Sequence, residues 1–480
     1  MSKIKRLAGE TVLYGLGSIL PRALNFLLVR LHTKIFLPED YGVITNLYAY
    51  VSFLNIVYMF GMETAYFRFA TRTDFDEKKI FNLAQTVVIA VSLFLSVVFI
   101  AFANPISDVL SVAGKPQYIV WLALIMFIDS LVAIPFARLR LQKKPLQFAA
   151  GKLINILILV GLNLYFLKIA YDPSIGIAFV FMANLAANAF YILFFFRTIV
   201  SWRPAFERDV SSAMFSYAYP VMLTGVAGMI NETFSRLTLE WWLPKNFYPG
   251  KTSEYALGVF GACYKFAILM NLTIQAFRYA AEPFFFSNAA DKGSPVLFAR
   301  INHYFTIVCC LILLGVSINL DILKYFLGNS EYWEGLTIVP VLLLGYLFLG
   351  IYYNLTVWFK LTDKTHYGTI IALGGAVLTV IANYFMIPVL GYMGSSIATL
   401  LCYASMTVAC YVLGQKFYPI PYHVTNDLLY IVLTTALVYV VNMLSIGNTV
   451  VSFTFHTIVI LVYIAVIFFI EKRGFKRGMV

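Results

Sequence analysis

The sequence predicts an all-α, polytopic membrane protein of about fourteen transmembrane helices, arranged as two pseudo-symmetric six-helix lobes followed by two C-terminal helices. Three observations carry this. The 480 residues are 61% hydrophobic and 12% charged, with a mean hydropathy of +0.82, whereas soluble domains run near one quarter charged. Apolar runs of 18 or more residues recur along the whole chain, each able to cross a hydrocarbon core about 30 Å thick at about 1.5 Å per helical residue. Segments of about ten alternating residues, the mark of a transmembrane β-barrel, are absent from the sequence.

The apolar segments fall at roughly 11–37, 41–70, 80–104, 117–139, 146–169, 174–199, 213–243, 254–287, 296–326, 335–360, 366–389, 394–417, 427–446 and 449–471. The basic start "MSKIKRLAGETVLYG" leads into a run longer than a signal h-region and without a convincing cleavage site, so it reads as a retained first helix. An even number of spans puts both termini on one face. By this register 22 of the 35 Lys and Arg lie on that face, in "KIKR", "RLRLQKK" and "EKRGFKRGMV" among others, against six on the other. The positive-inside rule therefore makes the termini cytoplasmic. The net charge of +12 is met by anionic lipid and calls for no nucleic acid.

A parallel repeat organises the spans. The first helix carries Pro21 and closes at Leu37-Pro38 before Tyr41-Gly42; the seventh carries Pro220 and closes at Leu243-Pro244 before Tyr255. The next helices end alike, in "ETAYFRFA" from Glu63 and "EPFFFSNA" from Glu282. The expected domains are an N-lobe over 1–200, a C-lobe over 201–417, and helices 13 and 14 with a basic tail over 418–480. Transporters built from such repeats bind substrate between them and rock around it.

No loop is long enough to fold as a domain, which weighs against a membrane-embedded glycan enzyme. "PGKT" at 249–252 lacks the first glycine of a phosphate loop and follows no strand. Cys263, Cys309, Cys310, Cys402 and Cys410 show neither metal nor disulfide spacing and read as small core residues. The scattered histidines His32, His303, His366, His423 and His456 are given no chemistry. Tyr346, Tyr352, Tyr353 and Trp358 read as an interfacial aromatic cluster, although aromatic faces also stack on sugars. No catalytic residue, metal or cofactor is expected.

Twelve ionisable residues lie inside the spans: Arg22, Arg30, Glu63, Arg68, Asp129, Lys152, Glu232, Arg236, Glu240, Lys265, Arg278 and Glu282. Facing lipid at mid-depth they would cost about 30–40 kcal/mol together, at about 2.5–3.5 each. They must snorkel, pair, or face a wet cavity. Counting residues along the helices puts Arg22, Asp129 and Lys265 near the midplane, Arg30 and the Glu232–Arg236–Glu240 ladder toward the outside, and Glu63, Arg68, Lys152, Arg278 and Glu282 toward the cytoplasm. Arg22 and Lys265 have no opposite charge three or four residues away, which makes them the leading candidates for anion contacts. Seven bases against five acids suit a diphosphate better than a cationic drug, since Arg offers a fork of donors to phosphate oxygens. Asp129 and the glutamates are candidates for a coupling proton or sodium ion, and pairing with nearby cations explains them equally.

The stretch 10–72, "ETVLYGLGSILPRALNFLLVRLHTKIFLPEDYGVITNLYAYVSFLNIVYMFGMETAYFRFATR", and the later "GYMGSSIATLLCY", 391–403, resemble Wzx-type oligosaccharide flippases. These belong to the polysaccharide transporters of the multidrug/oligosaccharidyl-lipid/polysaccharide exporter superfamily. The resemblance implies a fold like that of multidrug exporters and lipid II flippases, and a flippase that carries undecaprenyl-pyrophosphate-linked oligosaccharide (an O-antigen, capsule or exopolysaccharide unit) to the periplasmic leaflet by alternating access. It also implies a place in a bacterial inner membrane, partners among membrane lipids and polysaccharide polymerase machinery, a monomeric state, and drive from an H+ or Na+ gradient or the membrane potential. Related lipid II flippases bind pyrophosphate through arginines of helices 1, 2 and 8. Here Arg22 or Arg30, Arg68, and Lys265 or Arg278 stand in those helices, with Glu63, Asp129, Glu232 and Glu282 as ion-coupling or gating candidates. A cation-coupled multidrug antiporter of the same superfamily is the alternative, followed by a lipid II flippase.

Overall fold

A computed structural model describes residues 3–72, 76–110, 112–288, 293–444 and 446–476. Its long helices are α1 (Lys3–Ile35), α2 (Pro38–Ala70), α3 (Glu77–Ala101), α4 (Pro116–Leu141), α5 (Pro145–Ile169), α6 (Ala178–Phe194), α7 (Arg208–Trp242), α8 (Ser253–Asn288), α9 (Ser294–Ile318), α10 (Ser330–Leu361), α11 (His366–Leu390), α12 (Tyr392–Phe417), α13 (Val424–Asn442) and α14 (Thr449–Lys476). No strand occurs among the described residues. Twelve of these helices are long and apolar enough to cross a membrane. The other two segments expected to span are helical as well: α1, with its charged start, and α6, apolar but 17 residues long. The chain is a multi-pass membrane protein.

Local sequence sets the helix ends. Pro38, Pro116 and Pro145 stand in the first turns of α2, α4 and α5, where a missing N–H costs nothing and the fixed φ suits the helix. Positive φ at Phe60 (49°) and Gly61 (69°) interrupts α2, so that Met62–Ala70 runs as its own helical segment. At Gly61 a side chain would run into the Ala218 carbonyl of α7, so the break also admits a close backbone approach.

The chain divides into two compact units, Met1–Glu240 with Thr252–Gly258, and Trp241–Lys251 with Val259–Val480. In the first, α1 packs on α5, α4 on α3 and α6, and α5 on α6. Val210, Met214 and Ala218 of α7 join a core with Met62, Ala65, Tyr66 and Phe69 of α2 and Ile80, Phe81 and Leu83 of α3. Gly42 of α2 and Gly258 of α8 mark a reciprocal crossing: a Cβ on Gly42 would strike the Glu254 carbonyl, and one on Gly258 the Pro38 carbonyl. Close backbone contact through small residues is how membrane helices associate where no hydrophobic driving force acts between them. The Leu-Pro-x-x-Tyr-Gly order seen in the sequence thus builds a crossing, with Tyr41 and Tyr255 both buried beside it.

In the second unit α12 packs against both α10 and α11, and α9 against α10, α13 and α14. The "GYMGSSIA" stretch supplies the small face of α12: Gly394, Ser395, Ser396, Ala398 and Thr399 are buried, and Gly394 lies against the Met386 carbonyl of α11. All five cysteines are buried. Tyr346, Tyr352 and Trp358 of α10 are buried too, Trp358 donating to the Cys410 carbonyl at 3.1 Å. The aromatic cluster expected at the membrane interface is, for these three, a packing layer of α10, because small residues such as Gly414 leave room for large rings.

Candidate functional site: intramembrane charges and their partners

In unit 1 the acids have local partners. Glu63, on the short segment after the α2 break, forms an ion pair with Arg140 at the end of α4. The Arg140 guanidinium lies over the Phe67 ring at 4.9 Å. Two residues earlier, Arg138 reaches Glu77 at 2.9 Å, and the Tyr66 hydroxyl donates to the same carboxylate at 2.5 Å. Both arginines come from "RLRLQKK", a run the sequence reading assigns wholly to a cytoplasmic loop. Helix α4 carries them inward by continuing to Leu141.

Asp129 sits two and a half turns before Arg138 on α4, partly buried. Its carboxylate accepts from Asn188 Nδ2 of α6 at 3.0 Å, and Asn188 in turn accepts from Asn155 of α5 at 3.2 Å. Lys152 of α5 feels the charges of both Asp129 and Glu63, with its ammonium 4.2 Å over the Phe136 ring and 5.2 Å from Tyr191. Asn184 of α6 donates to the Tyr48 hydroxyl of α2 at 2.6 Å. Polar groups of α2, α4, α5 and α6 are thereby joined inside the unit, each acid near a base. A buried charge is tolerated only with such compensation.

The candidate anion ligands of this unit stand differently. Arg22, Arg30 and Arg68 are exposed on α1 and α2. Arg68 stacks on Tyr217 of α7, its guanidinium 4.2 Å from the ring centre, which holds the fork by a cation–π contact and leaves N–H groups outward. Glu63 and Arg68, five residues apart, go to different elements, as an angular separation of about 140° requires. In the ladder on α7, Glu232 is exposed and its carbonyl accepts from Arg236, while Glu240 takes the Asn46 amide of α2.

In unit 2, Lys265 is partly buried on α8, its neighbours Tyr264 and Phe266 fully packed, and the Tyr264 hydroxyl meets that of Tyr346. Arg278, three and a half turns on, lies 3.8 Å over the Tyr353 ring of α10. The side chain of Glu282 lies outside the described residues. Beyond the spans, Tyr248 stacks on Tyr392 with ring centres 4.8 Å apart and accepts from the Tyr392 N–H at 3.2 Å. Burial pushes its hydroxyl up to about 12, so it stays protonated and seals the α7–α8 loop without adding charge. Among the described residues no group of three or more His, Cys, Asp and Glu is placed to hold a metal ion.

The histidines, given no chemistry from sequence, are among the best-engaged polar residues. His32 meets Asn163 at 2.9 Å, His456 faces Asp321 at 3.7 Å, and His303 stands between Asp427 and Glu471. Sequence spacing could not reveal these contacts, since each partner lies more than 120 residues away along the chain or on a different helix.

Solved structures share this fold. A lipid II flippase MurJ in an inward closed conformation superposes with a TM-score of 0.75 at 13% identity, covering 95% of this chain and 99% of that one. An inward-facing multidrug resistance MATE family transporter gives 0.63 at 12% identity, over 85% and 97%. A MATE structure in the straight conformation gives 0.59 at 13%, over 86% and 95%. A search of curated protein sequences returns no match. The family model described as "Polysaccharide biosynthesis protein" matches residues 28–294, more than half of the chain, so the chain belongs to the polysaccharide biosynthesis protein family.

Proposed function

We propose that the protein is a flippase that moves an undecaprenyl-pyrophosphate-linked oligosaccharide from the cytoplasmic to the periplasmic leaflet of a bacterial inner membrane by alternating access, with both termini cytoplasmic. The observation that carries the reading is the division of the intramembrane charges. Glu63, Asp129 and Glu77 have Arg140, Lys152 and Arg138 near them within unit 1, while Arg30 and Arg68 are exposed on α1 and α2. Arg68 and Arg278 lie on tyrosine faces that hold their guanidinium planes in place. A diphosphate with its doubled charge is the lipid headgroup that such forks match. Membership of a polysaccharide biosynthesis family supports a glycan as the cargo, and the likeness to a lipid II flippase structure supports a lipid-linked one.

The test is export of a lipid-linked glycan in cells carrying Arg22→Ala or Lys265→Ala. Each variant is expected to accumulate in the membrane, fold, and lose export. Wild-type export in both would remove the cationic-site reading. The second reading, a cation-coupled multidrug antiporter, draws on the likeness to MATE structures. It predicts that proteoliposomes exchange cationic drugs for H+ or Na+ and ignore pyrophosphate lipids.

A further inference from the structure

The last helix has little to hold it in place. Apolar side chains along α14, Val450, Phe453, Leu461, Val462, Phe468 and Phe469 among them, are exposed, as befits a helix facing lipid. It touches the rest of unit 2 along α9 and α13, through Phe455, Val459, Ile460 and Tyr463 packed on a small core of Leu314, Ile318, Val438 and Val441, and the Tyr463 hydroxyl meets that of Thr434 on α13. Polar clusters stand at both ends of this seam. At one end Ser452 donates to Asp321, with His456 beside it. At the other, His303 of α9 is fully buried between Asp427 of α13 and Glu471 of α14. His303 and Asp321 are 18 residues apart along α9 and its short continuation, about 27 Å of helix at 1.5 Å per residue, close to the thickness of a hydrocarbon core. The two antiparallel helices are pinned near opposite faces of the membrane.

The inner arrangement at His303 is specific. Nδ1 lies 2.5 Å from Asp427 Oδ1, while Asp427 Oδ2 accepts from Asn302 at 3.3 Å. Asn354 of α10 backs Asn302 at 3.4 Å and brings no charge. The Tyr430 hydroxyl of α13 donates to Glu471 Oε1 at 2.6 Å. That leaves Nε2 of His303 and Oε2 of Glu471, 3.2 Å apart, both buried and, among the described residues, neither meeting another hydrogen-bonding partner. Two lone pairs facing one another at that distance repel, so a proton must lie between them. Counting charges gives the same answer: two carboxylates against one imidazole leave a buried negative pair unless the ring is an imidazolium or one acid is protonated. The remaining titratable groups about the ring are His423, 5.4 Å away centre to centre, Tyr304 and Tyr430. The nearest bases along the chain are Arg300, one turn before His303, and Lys472, exposed beside Glu471.

We propose that His303, Asp427 and Glu471 form a proton-binding site, and that the bound proton clasps α13 and α14 to α9. Among the described residues, the proton shared along the Nε2–Oε2 line is the link Glu471 makes to α9. When it leaves, a neutral ring faces two carboxylates and the α14 end of the seam loses its attraction. Protonation therefore favours the closed clasp, and rising pH releases α14 on the face where the C-terminus emerges. Its members are other residues than Glu63, Asp129, Glu232 and Glu282, the acids expected from sequence to serve ion coupling. On the flippase reading, it supplies a proton-dependent step at the two helices that the six-helix repeat does not contain.

The experiment uses the full chain in lipid nanodiscs, with ring nitrogens of histidine labelled for NMR and the His303 signal identified by its loss in His303→Gln. Protons are the only ligand. At neutral pH both ring nitrogens of His303 should be protonated or share a proton. Glu471→Gln, which keeps side-chain size, should weaken proton binding by about tenfold or more, one unit. Hydrogen exchange over 449–472 should rise with the same pH midpoint in the wild type and be fast at every pH in Glu471→Gln. A single neutral tautomer of His303 through the neutral range, or titration unchanged in Glu471→Gln, overturns the site. Titration without any change in α14 exchange overturns the clasp. If His303→Gln does not fold, Glu471→Gln carries the comparison, with the signal assigned through Asp427→Asn. None of these readouts needs a transported substrate, so failure of the flippase reading would leave them standing.

Discussion

Removing either Asp129 or Lys152, whose charges act on each other without an ion-pair contact, should destabilise unit 1 far more than removing both. Asp129 is partly buried mid-helix with its carboxylate held by Asn188, and Lys152 lies against the rings of Phe136 and Tyr191. Asp129→Asn leaves that ammonium among aromatic side chains with Glu63 as its remaining acid, and Glu63 is already paired with Arg140. Breaking a buried pair from one side costs about 3–5 kcal/mol, whereas replacing both charges by neutral groups of similar size is close to neutral. Asp129→Asn and Lys152→Met should each lower the thermal midpoint by about 6–12 °C, taking about 3 kcal/mol and the usual slope for a unit of this size. The double variant should recover most of the loss, which for single losses of about 3 kcal/mol each is a coupling of about 5 kcal/mol. Thermal unfolding of the purified variants in nanodiscs reads this directly. By contrast, Glu63 and Arg140 are each more than a third exposed, and a pair of that exposure is worth about 1 kcal/mol or less. Additive losses in the double variant would refute the pairing. Single variants that are fully stable yet inactive in export would move Asp129 from compensating charge to ion-coupling group.

Other expectations follow from single contacts. Gly42→Val should destabilise the protein by about 1–3 kcal/mol or prevent its accumulation, because the new side chain meets the Glu254 backbone and not a yielding side-chain tip. Gly374→Ala on α11, with nothing within 4 Å of the new methyl, should stay within about 0.5 kcal/mol of wild type in the same unfolding assay. Tyr353→Leu removes the ring beneath Arg278 and should weaken glycan export about fivefold, the equivalent of about 1 kcal/mol of cation–π support. Arg278→Ala should reduce export further, and equal activity in both variants and wild type would take Arg278 out of the substrate path.

Much of this architecture is written in composition and period. Runs of apolar residues, the bias of Lys and Arg between faces, and prolines in the first turns fix a polytopic helical protein, because in a bilayer every backbone group must be satisfied within its own helix. The same reading picked out the intramembrane charges, since a charge in an apolar run is conspicuous. It could not tell which of them are neutralised. That depends on Arg138 and Arg140, which look like loop residues in the sequence and become partners of Glu77 and Glu63 only because α4 continues past them and packs beside α2 and α3. Histidines were passed over for a related reason. His303, Asp427 and Glu471 are separated by 124 and 44 residues, and no spacing rule links three helices. Sequence by itself determined that this chain lives in a membrane as a helical bundle, belongs among the polysaccharide biosynthesis proteins and carries a surplus of bases within its apolar segments. Tertiary structure alone decided which charges meet, which stand on aromatic faces, and that His303 lies between two acids, because Coulomb attraction in a low-dielectric interior depends on distances that packing sets.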